Sequence, residues 1–386
     1  MPGPAETPAT PPQRRRRWLR LSLRGLMVAV LLLGLALGWA IRRARVQSEA
    51  VAALRDRARI NFRIDLTWQR RWPLPQRTGS PFVPPLPPPA PASPFSPGPV
   101  APPPRRTILD WLDRNYFEYV ASAHLYPSAA DADLRDVGRL AGLRELTLDG
   151  PAMTDAGLAS LAGLGHLETL KFGMESRFTG AGLPEQGGLK ELNSDRNPIT
   201  DAGLAAIGRL RNLEQLAVTW AAVSDAGLAH LAGLGGLRIL ELQGNALTDA
   251  GLVHLARLPR LESLDLGRTR VGDAGMGRLA ALPVLTSVAL GHTAVTDRGV
   301  AALASAGRIT RMGLRGTAVT DEGLRALAGL SRLEWLDLVG TAVTDEGLAH
   351  LRMLPALKRV NVYQTKVTAA GAARAMQARP GVSITR

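Results

Sequence analysis

Through most of its length the chain repeats one pattern of apolar and polar positions. From Leu333 it reads L-x-x-L-x-L-x-x-T-x-V-T-D-x-G-L-x-x-L-x-x-L-P, ends at Pro355, and starts again at Leu357, a step of 24 residues. The same phase returns at Leu143, Leu167, Leu189, Leu213, Leu237, Leu261, Leu285 and Ile309. Every step is 24 except that from Leu167 to Leu189, which is 22. Within one unit, Leu336 and Leu338 alternate with polar positions, as the inward residues of a strand do. Leu348, Leu351 and Leu354 follow at spacing three, the buried stripe of a short helix. Thr344 and Asp345 stand where that helix begins. Both residue types suit exposed amides and a positive dipole end, so helix capping is expected of the aspartate row. One unit cannot bury its own apolar edge, so the units must stack around a shared core.

The pattern predicts an α/β solenoid. A parallel β-sheet lines the concave face and short helices form the convex face, in one right-handed arc of about ten repeats. Repeats occupy residues 143–386. Residues 107–142 are expected to hold an N-terminal cap and a first degenerate repeat, since Asp131 and Leu134 precede Asp155 and Leu158 by 24 residues. The short unit starting at Leu167 carries Phe172 and Phe178 and has Gly180 where others have Asp, which predicts a bulged turn and a lost helical turn.

The N-terminal third has a different composition. Residues 1–17 read as a disordered basic terminus. Residues 18–43 are expected to form one transmembrane anchor helix. Their central run, 25–41, has no charged residue and spans roughly 25 Å as a helix. Trp18 and Trp39 sit near its ends, as interfacial anchors do. The alternative is a cleaved signal peptide with Gly38-Trp39-Ala40 as its site, against which Arg42 and Arg43 argue. The arginines before the apolar run place the N-terminus in the cytoplasm and the repeats outside it, on a single-pass membrane protein. Residues 44–72 form a juxtamembrane segment: Val51, Leu54 and Ala58 keep helical spacing, and Ile60, Phe62, Ile64 and Leu66 alternate as a strand does. Residues 73–106 are a Pro-rich linker, a disordered polyproline spacer between anchor and solenoid.

Charge sharpens this division. The net charge of +14 lies wholly in the first 107 residues, which hold 18 Arg and 4 acidic residues; the remainder is neutral. A nucleic-acid partner is therefore not expected, because basic residues do not gather on the folded domain. The absence of cysteine excludes disulfides and thiolate metal sites. No nucleophile elbow, phosphate loop, dinucleotide glycine pattern or metal-spaced His/Asp cluster is present. No catalytic, cofactor-binding or metal-ligating residue is identified, so no enzyme activity and no cofactor is expected. His230, His254 and His350 share one repeat position on the helices, and His292 lies alone after a strand.

The positions free to vary are those alternating with the inward leucines. In the N-terminal half they are acidic: Glu145, Asp149, Glu191, Asp195, Glu241 and Asp265. In the C-terminal half they are Arg311, Arg315, Trp335, Asp337, Arg359 and Tyr363. Arginine and aromatic side chains are the usual anchors of interfaces, so these six are the candidate partner-binding residues. Gly313 is expected to leave a gap between Arg311 and Arg315 that a ligand group could enter.

The pentapeptides at 154–158, 200–204, 248–252, 320–324 and 344–348, with near matches at 224–228 and 296–300, carry a resemblance to a known family. They resemble the leucine-rich repeat family, in its T-D-x-G-L subtype, as in membrane-anchored bacterial proteins of the planctomycete kind. That resemblance implies a leucine-rich repeat horseshoe or arc with a binding surface and no catalytic residues. It names no ligand. Two functions stay open: a membrane-anchored protein-protein interaction module whose unknown partner sits on the concave face, and an envelope- or glycan-binding structural protein in which Trp335 and Tyr363 serve as stacking platforms.

Overall fold

The computed structural model describes residues 31–54 apart from 33, 36, 37, 40 and 44, then 64–70, and 118–386 apart from 175. Each regular unit folds as strand, turn and short helix, because its inward leucines switch from a spacing of two to a spacing of three. The strands are β1 (Ile64–Arg70), β2 (Glu118–Leu125), β3 (Glu145–Leu148), β4 (Thr169–Phe172), β5 (Glu191–Asp195), β6 (Gln215–Thr219) and β7 (Ile239–Glu241). They continue as β8 (Ser263–Asp265), β9 (Ser287–Ala289), β10 (Arg311–Gly313), β11 (Trp335–Asp337), β12 (Arg359–Asn361) and β13 (Ser383–Thr385). Together they make one 13-stranded sheet in sequence order. From β2 onward neighbours are parallel, and equivalent repeat positions lie side by side, as in Arg311↔Trp335 and Gly313↔Asp337. The inward leucines form one continuous core: Leu333, Leu336, Leu338 and Leu354 are fully buried, and Leu348 and Leu351 nearly so.

The pentapeptide does more than cap helices. Asp273 Oδ1 accepts from the Thr296 amide at 2.7 Å and the Gly299 amide at 3.0 Å, and its Oδ2 accepts from the Thr296 hydroxyl at 2.6 Å. The same bridge joins Asp201 to Ser224, Asp225 to Thr248, Asp297 to Thr320 and Asp321 to Thr344. The aspartate row thus ties each coil to the next, which corrects the capping expectation. The threonine takes the capping role: the Thr296, Thr320 and Thr344 hydroxyls accept from amides of their own helices. The glycine makes room for the bridge. A Cβ at Gly299, Gly323 or Gly347 would collide with Oδ1 of Asp273, Asp297 or Asp321.

The short unit has lost its whole helix among the described residues, beyond the single turn expected. Phe178 is fully buried, its ring 4.6 Å from that of Phe172, and stands just before Thr179, at the position that Val295, Val319 and Val343 hold in regular units. Gln186 Nε2 donates to the Leu161 carbonyl of the preceding coil at 2.7 Å. At the far end, β13 follows the helix Ala369–Ala378, and Arg386 Nε donates to the Val367 carbonyl at 2.9 Å.

The chain separates into two compact units, Met1–Val46 and Gln47–Arg386. In the first, the Arg43 guanidinium carbon lies 5.2 Å from the centroid of the exposed Trp39 ring. No helix among the described residues is long and apolar enough to cross a membrane. The anchor expected over 18–43 falls mostly outside those residues, and 1–17 and 73–106 fall wholly outside them. In the second unit, Ala50, Val51 and Leu54 of a helical stretch are buried in the same core as Val120 and Leu125. Strand β1 pairs antiparallel with β2, Arg70 opposite Glu118. An edge strand exposes unpaired amides and carbonyls, and β1 covers that of β2.

Candidate functional site

Alternation within each three-residue strand decides what faces outward. Met312, Leu336 and Val360 point into the core, so Arg311 and Gly313, Trp335 and Asp337, and Arg359 and Asn361 point the other way. Register places Arg311, Trp335 and Arg359 in one row across β10, β11 and β12. Both arginines are exposed, and Trp335 between them is half-buried. Arg315 Nε lies 3.9 Å from Asp337 Oδ2, and Asp337 Oδ1 accepts from the Val339 amide at 3.1 Å. Tyr363 is 53% exposed, its amide donating to Asn361 Oδ1 at 3.2 Å. All six candidates therefore come from three consecutive coils. The expected gap at Gly313 is closed. Gly313 is buried, and a Cβ there would already touch Ala289 at 3.6 Å on one side and Trp335 Cζ3 at 3.9 Å on the other.

The acidic half is partly neutralised by its own surroundings. Lys171 Nζ lies 3.4 Å from Glu191 Oε1, and the Thr219 hydroxyl donates to Asp195. Glu241 and Asp265 stand opposite each other in register on β7 and β8. Burial against the sheet raises the pKa of Glu241, with Asp265 and Asp195 adding to the shift. Burial likewise raises that of Asp265, opposed by the Gly267 amide donating to it. Among the described residues no group of three or more His, Cys, Asp or Glu side chains is placed to hold a metal ion. Clefts of about 410 and 390 Å³ lie away from the six candidates. The first is lined in part by His166, Glu168, Lys190 and Glu214, the second by Leu348, Leu351, Ala375 and Arg379.

One row of outward residues escapes a reading based on alternation. Just past the strands, Arg196, Trp220, Arg268, His292 and Gln364 adopt φ of 57°, 52°, 55°, 56° and 56°. Gly244, Gly316 and Gly340 take the same column with φ of 76°, 62° and 70°. This left-handed turn continues the ladder between coils: the Trp220 amide donates to the Gln243 carbonyl and the Arg268 amide to the Gly291 carbonyl, both at 2.7 Å. Glycine adopts that backbone freely, whereas a bulky side chain does so at a cost. Trp220 is nevertheless 44% exposed there, with the Arg268 guanidinium carbon 5.7 Å from its ring centroid. His292 is held below the usual histidine range by burial and then by the positive charges of Arg268 and Arg315. The sequence carried the signal. Reading down the column one residue past the strand-face positions collects Arg196, Trp220, Arg268 and His292, whereas His292 taken singly looks solitary.

Comparison with known proteins places the architecture. Residues 237–256, 258–280 and 281–304 match the profile of the family described as Leucine Rich repeat. No curated protein matches the chain. Among solved structures, an internalin from Listeria monocytogenes is similar at 23% identity and a TM-score of 0.55, over 66% of this chain and 70% of that one. A leucine-rich repeat protein of Leptospira interrogans is similar at 16% identity and a TM-score of 0.41, over 65% of this chain and 80% of that one. Internalin C2 of Listeria monocytogenes is similar at 26% identity and a TM-score of 0.38, over 48% of this chain and 76% of that one. The first of these likenesses, with the sheet topology, shows a leucine-rich repeat fold.

Proposed function

We propose that this leucine-rich repeat chain is a protein-interaction module, tethered to a membrane through residues 18–43, that engages a protein partner on its concave strands. Arg311, Arg315, Trp335, Asp337, Arg359 and Tyr363 carry the contact. The observation behind this reading is the row Arg311–Trp335–Arg359, in register on three adjacent strands, with Tyr363 exposed beside it. Arginine, tryptophan and tyrosine supply most interface hot spots, and solenoids use extended concave surfaces for binding. A glycan-stacking role would require open aromatic faces, and Trp335 is half-buried, which favours a protein. The uncharged run at 25–41 and the arginines before it support a single-pass anchor with the repeats outside the cytoplasm. The pentapeptide spacing supports the T-D-x-G-L subtype.

The test compares proteins that co-purify with the full-length chain from its native membrane. The pair Trp335→Ala and Tyr363→Ala should lose the partner while staying folded. The pair Glu145→Ala and Asp149→Ala should keep it. Removal of one hot-spot aromatic typically costs at least about 2 kcal/mol of binding, so the loss should be near complete. Retention in the first pair with loss in the second would move the site to the acidic half.

A further inference from the structure

We propose that Trp220, Arg268, His292 and Arg315 form a second docking strip that takes an acidic peptide segment of a protein partner. Carboxylates of the segment would sit on Arg268 and Arg315, and an apolar side chain on Trp220. The strip lies along the turns that leave the sheet, not on the strand rows of the proposed concave contact, and shares only Arg315 with it.

Three observations converge. The first is the choice of side chain. The turn column takes positive φ in the eight coils from Arg196 to Gln364, and glycine meets that demand at 244, 316 and 340. Tryptophan, arginine and histidine stand at 220, 268 and 292 instead, and unfavoured backbone kept for particular side chains is a mark of functional sites. The second is arrangement. A Cβ at Gly244 would meet the Trp220 ring and one at Gly316 would meet the His292 ring, so each ring lies over the glycine of the next coil. Arg268 reaches Trp220 across Gly244, and among the described residues its cation rests on that ring and not on a carboxylate. The third is charge. Arg268, Arg315 and His292 are all exposed and near enough for both guanidiniums to depress the imidazole. His292 is therefore neutral near neutral pH and offers a donor without adding charge. Among the described residues, the one carboxylate paired with Arg315 is Asp337, at 3.9 Å.

Discrete carboxylates fit this setting better than a continuous polyanion. Asp265 stands three residues before Arg268 and Asp337 lies 3.9 Å from Arg315, and both would repel an unbroken row of phosphates. A peptide can place its acidic residues on the arginines and leave neutral ones opposite the aspartates.

The test is selection of random twelve-residue displayed peptides on the full-length chain. Asp and Glu should be enriched among the selected peptides. The pair Arg268→Gln and His292→Gln should remove that enrichment by at least about tenfold. Glutamine is chosen because Gln364 already occupies the same column at φ 56°, so the fold accommodates it. Thermal unfolding of the pair should match the parent. The pair Trp335→Ala and Tyr363→Ala should leave acidic selection intact, which separates this strip from the concave contact. Absence of acidic enrichment, or enrichment unchanged in the glutamine pair, would overturn the proposal. Equal displacement of the selected peptides by a single-stranded oligonucleotide of matched charge would overturn its peptide preference.

Discussion

Replacing Asp273 by Ala tests how the coils are held together. Asp273 accepts two amides and one hydroxyl from the following coil, at 2.7, 3.0 and 2.6 Å. Hydrogen bonds to a charged group contribute about 1.5–3 kcal/mol each, and partial solvent access at this site brings the three together to about 3 kcal/mol. The substitution also strands the Thr296 amide. For a folded body of this size, about 3 kcal/mol corresponds to a fall in melting temperature of roughly 5 °C. Thr296→Val removes only the hydroxyl and should cost about 1 kcal/mol. A double-mutant cycle between the two positions should return a coupling near that value. Urea unfolding supplies the free energies, and hydrogen exchange supplies their location. If the aspartate bridges coils, exchange quickens first at Thr296 and Gly299. If it merely caps its own helix Asp273–Ala280, exchange quickens at Gly275 and Met276 instead. A cost within about 0.5 kcal/mol, with Thr296 still protected, would refute the bridge.

Other outcomes follow from the same geometry. Gly299→Ala should destabilise by about 1–3 kcal/mol despite alanine's better helix propensity, since the new methyl meets Asp273 and lies 3.0 Å from Val295 Cγ1; equilibrium unfolding measures it. Phe178→Ala should cost about 3–5 kcal/mol, and hydrogen exchange should show residues 173–190 opening before either neighbouring coil; uniform protection across 143–261 would contradict this. Asp265 and Glu241 titrate above their ordinary range in the folded state, so the folded chain holds more protons than the unfolded one between the two pKa values. Stability from this pair is present below the ordinary carboxylate pKa and falls as pH rises through the raised values, and Asp265→Asn should flatten that fall in thermal melts from about pH 4 to about pH 7. Deleting residues 18–43 should release the chain from carbonate-washed membranes; continued sedimentation would count against the anchor.

The repeats were legible in the sequence because stacking demands an inward leucine at fixed positions, and Leu336, Leu338 and Leu354 could be nothing else. The short unit was legible too, since a unit lacking the aspartate and two residues shorter cannot build the same helix. The aspartate bridge was not, because Asp273 satisfies the rules for a helix start equally well, and only the neighbouring coil shows which amides it takes. The N-terminal cap was half legible. Alternation from Ile60 to Leu66 marks a strand, but nothing local says that it pairs with Glu118–Leu125 across 47 intervening residues. Of the candidate site, membership could be read from alternation, whereas the closure of the Gly313 gap depended on Ala289 and the Trp335 ring to either side. The turn column at Trp220 and Arg268 was invisible to a two-residue period, because its direction is set by positive φ.

The concave contact is tested most directly by photo-cross-linking from its centre. A benzoylphenylalanine placed at Trp335 of the full-length chain in its native cells should form a protein adduct on irradiation. The same group at Arg298, on the helix Asp297–Ala304, should form none. Adducts from Arg298 with none from Trp335 would contradict the account.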